Sequence, residues 1–149
     1  MLNQVILSGV GLLPFATGGL AAHAASLRFG FNVDEPEAYI KFRLQCCVEN
    51  GAADMLDFGL ELDGALINGG TLFRKALDAT ALVTHDGVVF EWFQKVAEGA
   101  HVIALFSDQV LAASENIDTA VAPCVLSAER VTNEAVLAHG VGSKVFHAQ

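Results

Sequence analysis

Residues 79–106 read ATALVTHDGVVFEWFQKVAEGAHVIALF, and this stretch decides the fold class. From Val88 to Val96, β-branched and aromatic residues dominate. Phe90 and Trp92 fall on one pleat face, with Val89, Glu91 and Phe93 on the other, which predicts a strand buried on one side and partly covered on the other. Asp86-Gly87 tolerates positive φ, so a tight hairpin back onto Ala81, Val83 and His85 is expected there, with Gly99 marking the next turn. Beyond it, His101, Ile103 and Leu105 alternate with Val102, Ala104 and Phe106, two apolar faces that suit a strand inside a sandwich.

The same period of two runs through the rest of the chain. Upstream, Leu27, Phe29 and Phe31 alternate with Arg28, Gly30 and Asn32, which predicts a strand with one wetted face. Asp34, Glu35 and Pro36 are expected to end it in a turn. A long strand follows, with Ala38, Ile40, Phe42, Leu44, Cys46 and Val48 on one face and Tyr39, Lys41, Arg43, Gln45 and Cys47 on the other. Lys41 and Arg43 read as a solvated face balanced by nearby carboxylates. Phe58, Leu60 and Leu62 oppose Asp57, Gly59 and Glu61, and Asp63-Gly64 predicts a two-residue hairpin into Ala65–Ile67. Residues 72–81 hold a helical competitor but are read as strand or irregular. Residues 107–119 are polar and turn-rich, Pro123 confines its neighbourhood to an edge, a strand start or a bulge, and the last stretch to His147 reads as a final strand or an extended tail.

About eight or nine strands joined by hairpin turns, with no αβ alternation, imply an all-β, antiparallel β-sandwich or jelly roll. Residues 1–25 contain no Asp, Glu, Lys or Arg. They read as a first strand at Gln4–Ser8 and an extended, apolar N-terminal arm, leaving 26–149 as the jelly-roll domain. The absent positive n-region, and Pro14, Gly18 and Gly19 within the apolar run, speak against a cleaved leader. The same interruptions speak against a membrane span, which needs about 20 consecutive apolar residues.

The 149 residues carry a net charge of −9, which disfavours a nucleic-acid partner, since such a surface needs clustered Lys and Arg. Hydrophobic residues make up 53% of the chain and charged ones 17%, against a usual charged share of about 25%, so more apolar surface is implied than a monomer hides. Self-association or seating in a larger assembly is the expectation. Cys46, Cys47 and Cys124 form no disulfide framework, because adjacent strand residues point to opposite faces; they read as small core residues in a reducing compartment.

No catalytic, cofactor-binding or metal constellation is visible locally. His23, His85, His101, His139 and His147 offer no pair at i, i+2 or i, i+4, so only long-range folding could assemble a metal site. No G-x-S-x-G elbow is present, and Gly9-x-Gly11 lacks the spacing of a phosphate loop. Asp54, Asp57, Glu61 and Asp63 form the densest acidic group, read as a solvated face.

The run from Phe58 to Phe106, with FGLELDGALINGG, GVVFEWFQKV and EGAHVIALF followed later by VLSAERV, resembles the second half of jelly rolls of the tumour-necrosis-factor and C1q type. Similar small jelly rolls serve as decoration, or cement, proteins on bacteriophage capsids. The resemblance implies a non-enzymatic structural protein of the virion, assembled in the host cytoplasm as a homotrimer that stabilises the shell by binding the major capsid or another shell protein. It implies no cofactor, nucleic acid or membrane. Leu12, Leu13, Phe15 and Leu20 are the expected assembly contacts. The alternative is a receptor- or carbohydrate-binding jelly-roll tip or tail protein. A metal-dependent enzyme would require His85, His101, Asp57 and Glu61 to converge.

Overall fold

The chain is an all-β, antiparallel jelly-roll sandwich. A computed structural model describes residues 1–14, 21–22, 27–50, 55–67, 73–76, 84–109, 116–131 and 144–148. Its strands are β1 (Asn3–Leu7), β2 (Leu12–Pro14), β3 (Ala21–Ala22), β4 (Arg28–Asn50), β5 (Met55–Leu62), β6 (Ala65–Leu66), β7 (Phe73–Ala76), β8 (Thr84–Gln109), β9 (Asn116–Asp118), β10 (Cys124–Arg130) and β11 (Lys144–Ala148). The main path is β1-β10-β4-β8-β5-β6; β11 and β3 add to β8, β7 adds to β5, and β9 joins β2 to β4.

Two very long strands organise this path. β4 and β8 pair from Arg28↔Ala104 to Asn50↔Thr84, with one shift of register between Val33 and Glu37. At that shift both strands change which parity faces the core. The residues that join the core cluster are Phe31 and Val33 of β4 before it, with Leu27 just ahead of the strand, and Ala38, Ile40, Phe42, Leu44, Cys46 and Val48 after it. In β8 they run Val88, Phe90, Trp92 and Val96, then Ile103 and Leu105. A flat strand cannot turn odd residues at one end and even residues at the other toward the same core, so the strand pair must bend around that core. Gly99, at φ 130° opposite Val33, supplies the backbone conformation for the bend.

The two halves of the β4–β8 strand pair thus belong to facing layers, and their inward side chains form one hydrophobic cluster. Phe31 meets Phe42 edge-on at 5.8 Å between ring centroids, and Phe58 of β5 meets Phe90 at 5.7 Å. Trp92, Phe42, Phe58 and Phe90 are all fully buried, each side chain contributing about 1.5–3 kcal/mol of transfer free energy. The Trp92 indole N–H donates to Gln94 Oε1 at 3.1 Å, so the largest core side chain leaves no polar atom unsatisfied. The opening segment is extended and lies along this sandwich: β1 pairs with β10, β2 with β9 and β3 with β8. Leu2, Val5, Leu7 and Leu13 pack against the core from it.

Several turns expected from sequence are absent. Asp86-Gly87 lies inside β8, paired with Val48 and Cys47, and neither residue takes a positive φ. A dipeptide able to turn does so only where both flanks lack a better partner, and here β4 supplies one along its whole length. Asp34-Glu35-Pro36 is likewise a bulge within β4, and Gly99 bends β8 without ending it. Asp63-Gly64 does turn, with φ 53° and 89°, the positive pair of a two-residue hairpin, and Leu62 pairs with Ala65 across it. Pro123 directly precedes β10, and Phe73–Ala76 of the helical competitor is strand β7. Ala81 and Val83, like most of the expected final tail, lie outside the described residues.

Gly99→Ala tests the bend. No atom lies within 4 Å of where the new Cβ would sit, so the expected loss of about 1–3 kcal/mol in chemical denaturation comes from the backbone alone. Ala at Gly30, which has ordinary φ, is the matched control and costs less than half as much.

Candidate functional site

The register of the long β4–β8 pair carries chemistry to one end of the sheet. Glu49 of β4 lies directly opposite His85 of β8, and the next strand, β9, pairs its Asn116 with Glu49. Asp118, two residues further along β9, thereby reaches the same group. His85 Nε2 is 3.1 Å from Asp118 Oδ2 and 4.0 Å from Glu49 Oε2. Glu49, His85 and Asp118 each offer a donor atom within 4.8 Å of the others, the one such convergence of His, Cys, Asp and Glu among the described residues. The other oxygen of Asp118 is engaged by its own turn, accepting from the backbone N–H of Ala120 at 3.0 Å and Val121 at 3.3 Å. Burial would raise the Asp118 carboxyl, but the hydrogen bonds from Ala120, His85 and Val121 outweigh it and hold the group below its ordinary range.

Beside this cluster lies a groove of about 260 Å³, lined by Gln45, Cys46, Cys47, Gly87, Pro123 and neighbours. Cys47 and Gly87 are cross-strand partners, each two residues from Glu49 and His85 respectively, so the groove and the cluster adjoin on one face about 7 Å apart. Gly87, without a side chain, leaves the hollow open. Val125 forms the far wall, and Ile6 of β1 is paired opposite it. Ile6, Val10 and Val121 remain 53%, 58% and 58% exposed, an aliphatic rim beside a polar corner.

The residues considered from sequence go elsewhere. Asp57, read as part of a solvated acidic face, is buried at 5% exposure and held by Arg74, whose Nε and Nη2 donate to its two oxygens at 2.7 and 2.8 Å. His101 Nδ1 sits 2.6 Å from Asp63 Oδ2 and Nε2 lies 2.8 Å from the Ala97 carbonyl, which leaves both nitrogens committed. His85, His101, Asp57 and Glu61 therefore do not converge. Leu12 is 48% exposed on β2, Leu13 packs against the core, and Phe15 and Leu20 lie outside the described residues. Lys41 and Arg43 do balance carboxylates, Glu129 and Glu91. Sequence reading could not find the Glu49–His85–Asp118 group, since its members are more than thirty positions apart and only strand pairing joins them.

No family model matches the chain, and no curated protein matches it either. Solved structures do. The C-terminal domain of EclA, a sugar-binding protein, is similar with a TM-score of 0.42 and 11% identity over 87% of this chain and 79% of that one. A family 35 carbohydrate binding module from Cellvibrio japonicus gives 0.35 and 12% over 87% and 99%. A ruminal GH26 endo-β-1,4-mannanase gives 0.38 and 12% over 84% of this chain, which spans only 20% of that enzyme. The expectation of a capsid decoration protein is corrected here: the structures this chain resembles are described as sugar-binding, carbohydrate-binding and glycan-cleaving proteins. The likeness is one of fold, so any ligand must be argued from the groove itself.

Two predictions follow from the electrostatics. Burial lowers the His101 pKa, but its hydrogen bonds to Asp63 and the Ala97 carbonyl raise it net above the ordinary 6.5. Burial raises that of Asp63, while His101 and the Val102 N–H bring it net below 3.8. The Asp63 contribution is lost as pH falls through its lowered pKa, and the His101 contribution as pH rises through its raised one, so the pair stabilises the β5–β6 hairpin most between 3.8 and 6.5. Proton NMR should show His101 titrating above 6.5, and Asp63→Asn should bring it down. All three cysteines are free and buried. The Cys46 thiol is pushed up by its hydrogen bond with Cys124 and by burial, and that of Cys47 by burial and by Asp118 and Asp86. Iodoacetamide should therefore label the native protein at least about tenfold more slowly than the unfolded chain at pH 8.

Proposed function

We propose that this chain is a non-catalytic carbohydrate-binding jelly roll whose binding site is the groove between Gln45, Gly87 and Pro123. The observation that carries this reading is the pairing of an open hollow with the two kinds of surface a sugar ring requires. Hydroxyls need fixed donors and acceptors, and Gln45, Glu49, His85 and Asp118 line up along one sheet face at that end of the β4–β8 pair. The ring's C–H faces need apolar contact, which Pro123, Val125 and the exposed Ile6 and Val121 supply. A volume near 260 Å³ suits one or two sugar units rather than a long chain. The site also sits on paired strands, so it is organised before a ligand arrives and loses little entropy on binding.

Hydrolysis is not part of this proposal. A glycosidase needs two carboxyl groups on opposite sides of the bond being cut, and Glu49 and Asp118 sit on one side, close enough to share a ligand atom. Asp57, the buried carboxylate besides Asp118 among the described residues, is neutralised by Arg74.

Calorimetric titration with a panel of neutral mono- and disaccharides tests the reading. Binding is expected for at least one sugar, with Gln45→Ala and Asp118→Asn each weakening it about tenfold, the cost of one well-formed hydrogen bond in a desolvated site. Absence of binding across the panel, or binding that both variants leave unchanged, would sink it.

A further inference from the structure

Among the described residues, the end of the β4–β8 pair gathers carboxylates that no Lys or Arg balances. Five described ion pairs use Lys or Arg, and they go to Glu129, Glu91, Asp57, Glu37 and Glu35. Among the described residues neither Glu49 nor Asp118 has such a partner, and the ion-pairing side chain beside each is His85. Two carboxylates held this close repel each other, and Asp118 is nine-tenths removed from water, where that repulsion is poorly screened. A divalent cation would cancel both charges at once.

We propose that Glu49, His85 and Asp118 form a binding site for a divalent transition ion of the zinc type, joining β4, β8 and β9. The donor set selects the ion. Calcium takes six to eight oxygens and magnesium keeps an octahedron of oxygen and water, whereas an imidazole nitrogen with two carboxylates suits zinc. Zinc bonds of about 2.0–2.1 Å in a tetrahedron place neighbouring donors about 3.3 Å apart. The spacings of 3.1 Å from His85 to Asp118 and 4.0 Å from His85 to Glu49 bracket that value, so it is the Glu49 side chain, 24% exposed, that has to close in. Asp118 is already aimed: the Ala120 and Val121 N–H groups hold one oxygen and turn the other toward His85. Three protein donors leave a fourth position, on the side where the groove begins, for water or for an oxygen of whatever the groove holds.

The full-length protein, stripped with chelator and dialysed, is titrated with ZnCl2 alone by calorimetry and with CaCl2 in a parallel arm. One zinc per chain is expected, and zinc at about 100 times its dissociation constant should raise Tm by about 5–10 °C. His85→Ala, at a position 37% exposed, and Glu49→Gln should each lower zinc affinity at least about tenfold without lowering the Tm of the metal-free protein by more than a few degrees. Failure to bind zinc saturably, zinc binding that survives His85→Ala, or stabilisation by calcium and not zinc would each overturn the proposal. Because no sugar is present, these outcomes stand apart from the result of the saccharide panel.

Discussion

The antiparallel pairing of β4 with β8 is the constraint on which the rest of this molecule depends. Each strand runs well beyond the usual length of five or six residues, and a pair that long cannot stay flat against a core the size of a 149-residue domain. It bends at the Val33–Glu37 shift, and the bend has to preserve burial on both sides of itself. The bulge meets that condition by inserting residues that reverse the parity of the inward face. Leu27, Phe31 and Val33 then share one hydrophobic cluster with Phe42, Leu44 and Trp92, Phe31 meeting Phe42 edge-on, and the hydrophobic free energy of the whole sandwich is gathered around one folded ribbon. The remaining strands extend its two edges, β10 and β1 on one side of the bend, β5, β6 and β7 on the other.

The same register determines where charge goes. The chain carries 17 acidic against 8 basic residues, so most carboxylates cannot find a Lys or Arg. Along the ribbon the cations are used pairwise across strands, Lys41 with Glu129, Arg43 with Glu91 and Lys95 with Glu37. At the end of the ribbon, Glu49 faces a histidine instead, and β9 adds Asp118 to the pair. That corner is where the molecule gathers open space, hydrogen-bonding atoms and unbalanced charge together, and both the sugar-binding reading and the ion-binding reading start from it.

Much of the architecture is legible in the chain because alternation is a local property. Phe90 and Trp92, or Ile40, Phe42 and Leu44, announce their shared face without knowledge of any neighbour, and Asp63-Gly64 announces a turn because both residues take the positive φ it needs and its flanks pair with each other. Asp86-Gly87 misleads for the complementary reason. Its capacity to turn is real, yet Cys47 and Val48 hold both residues extended, a contact nearly forty positions away. Asp57 misleads in the same way: its face is polar by alternation, but β7 brings the exposed Arg74 across and Asp57 is buried beside it. The likeness to trimeric shell proteins rested on strand pattern, and strand pattern is common to jelly rolls whatever they bind.

The amino-acid sequence by itself determined that this protein is an antiparallel sandwich and which residues alternate toward the core along its long strands. Only the tertiary structure decided that two turns are bends in continuous strands, and that Glu49, His85 and Asp118 share a corner beside a groove. Side-chain period is written into each segment, whereas the meeting of three strands depends on a register summed over every pair between them, and no single segment contains it.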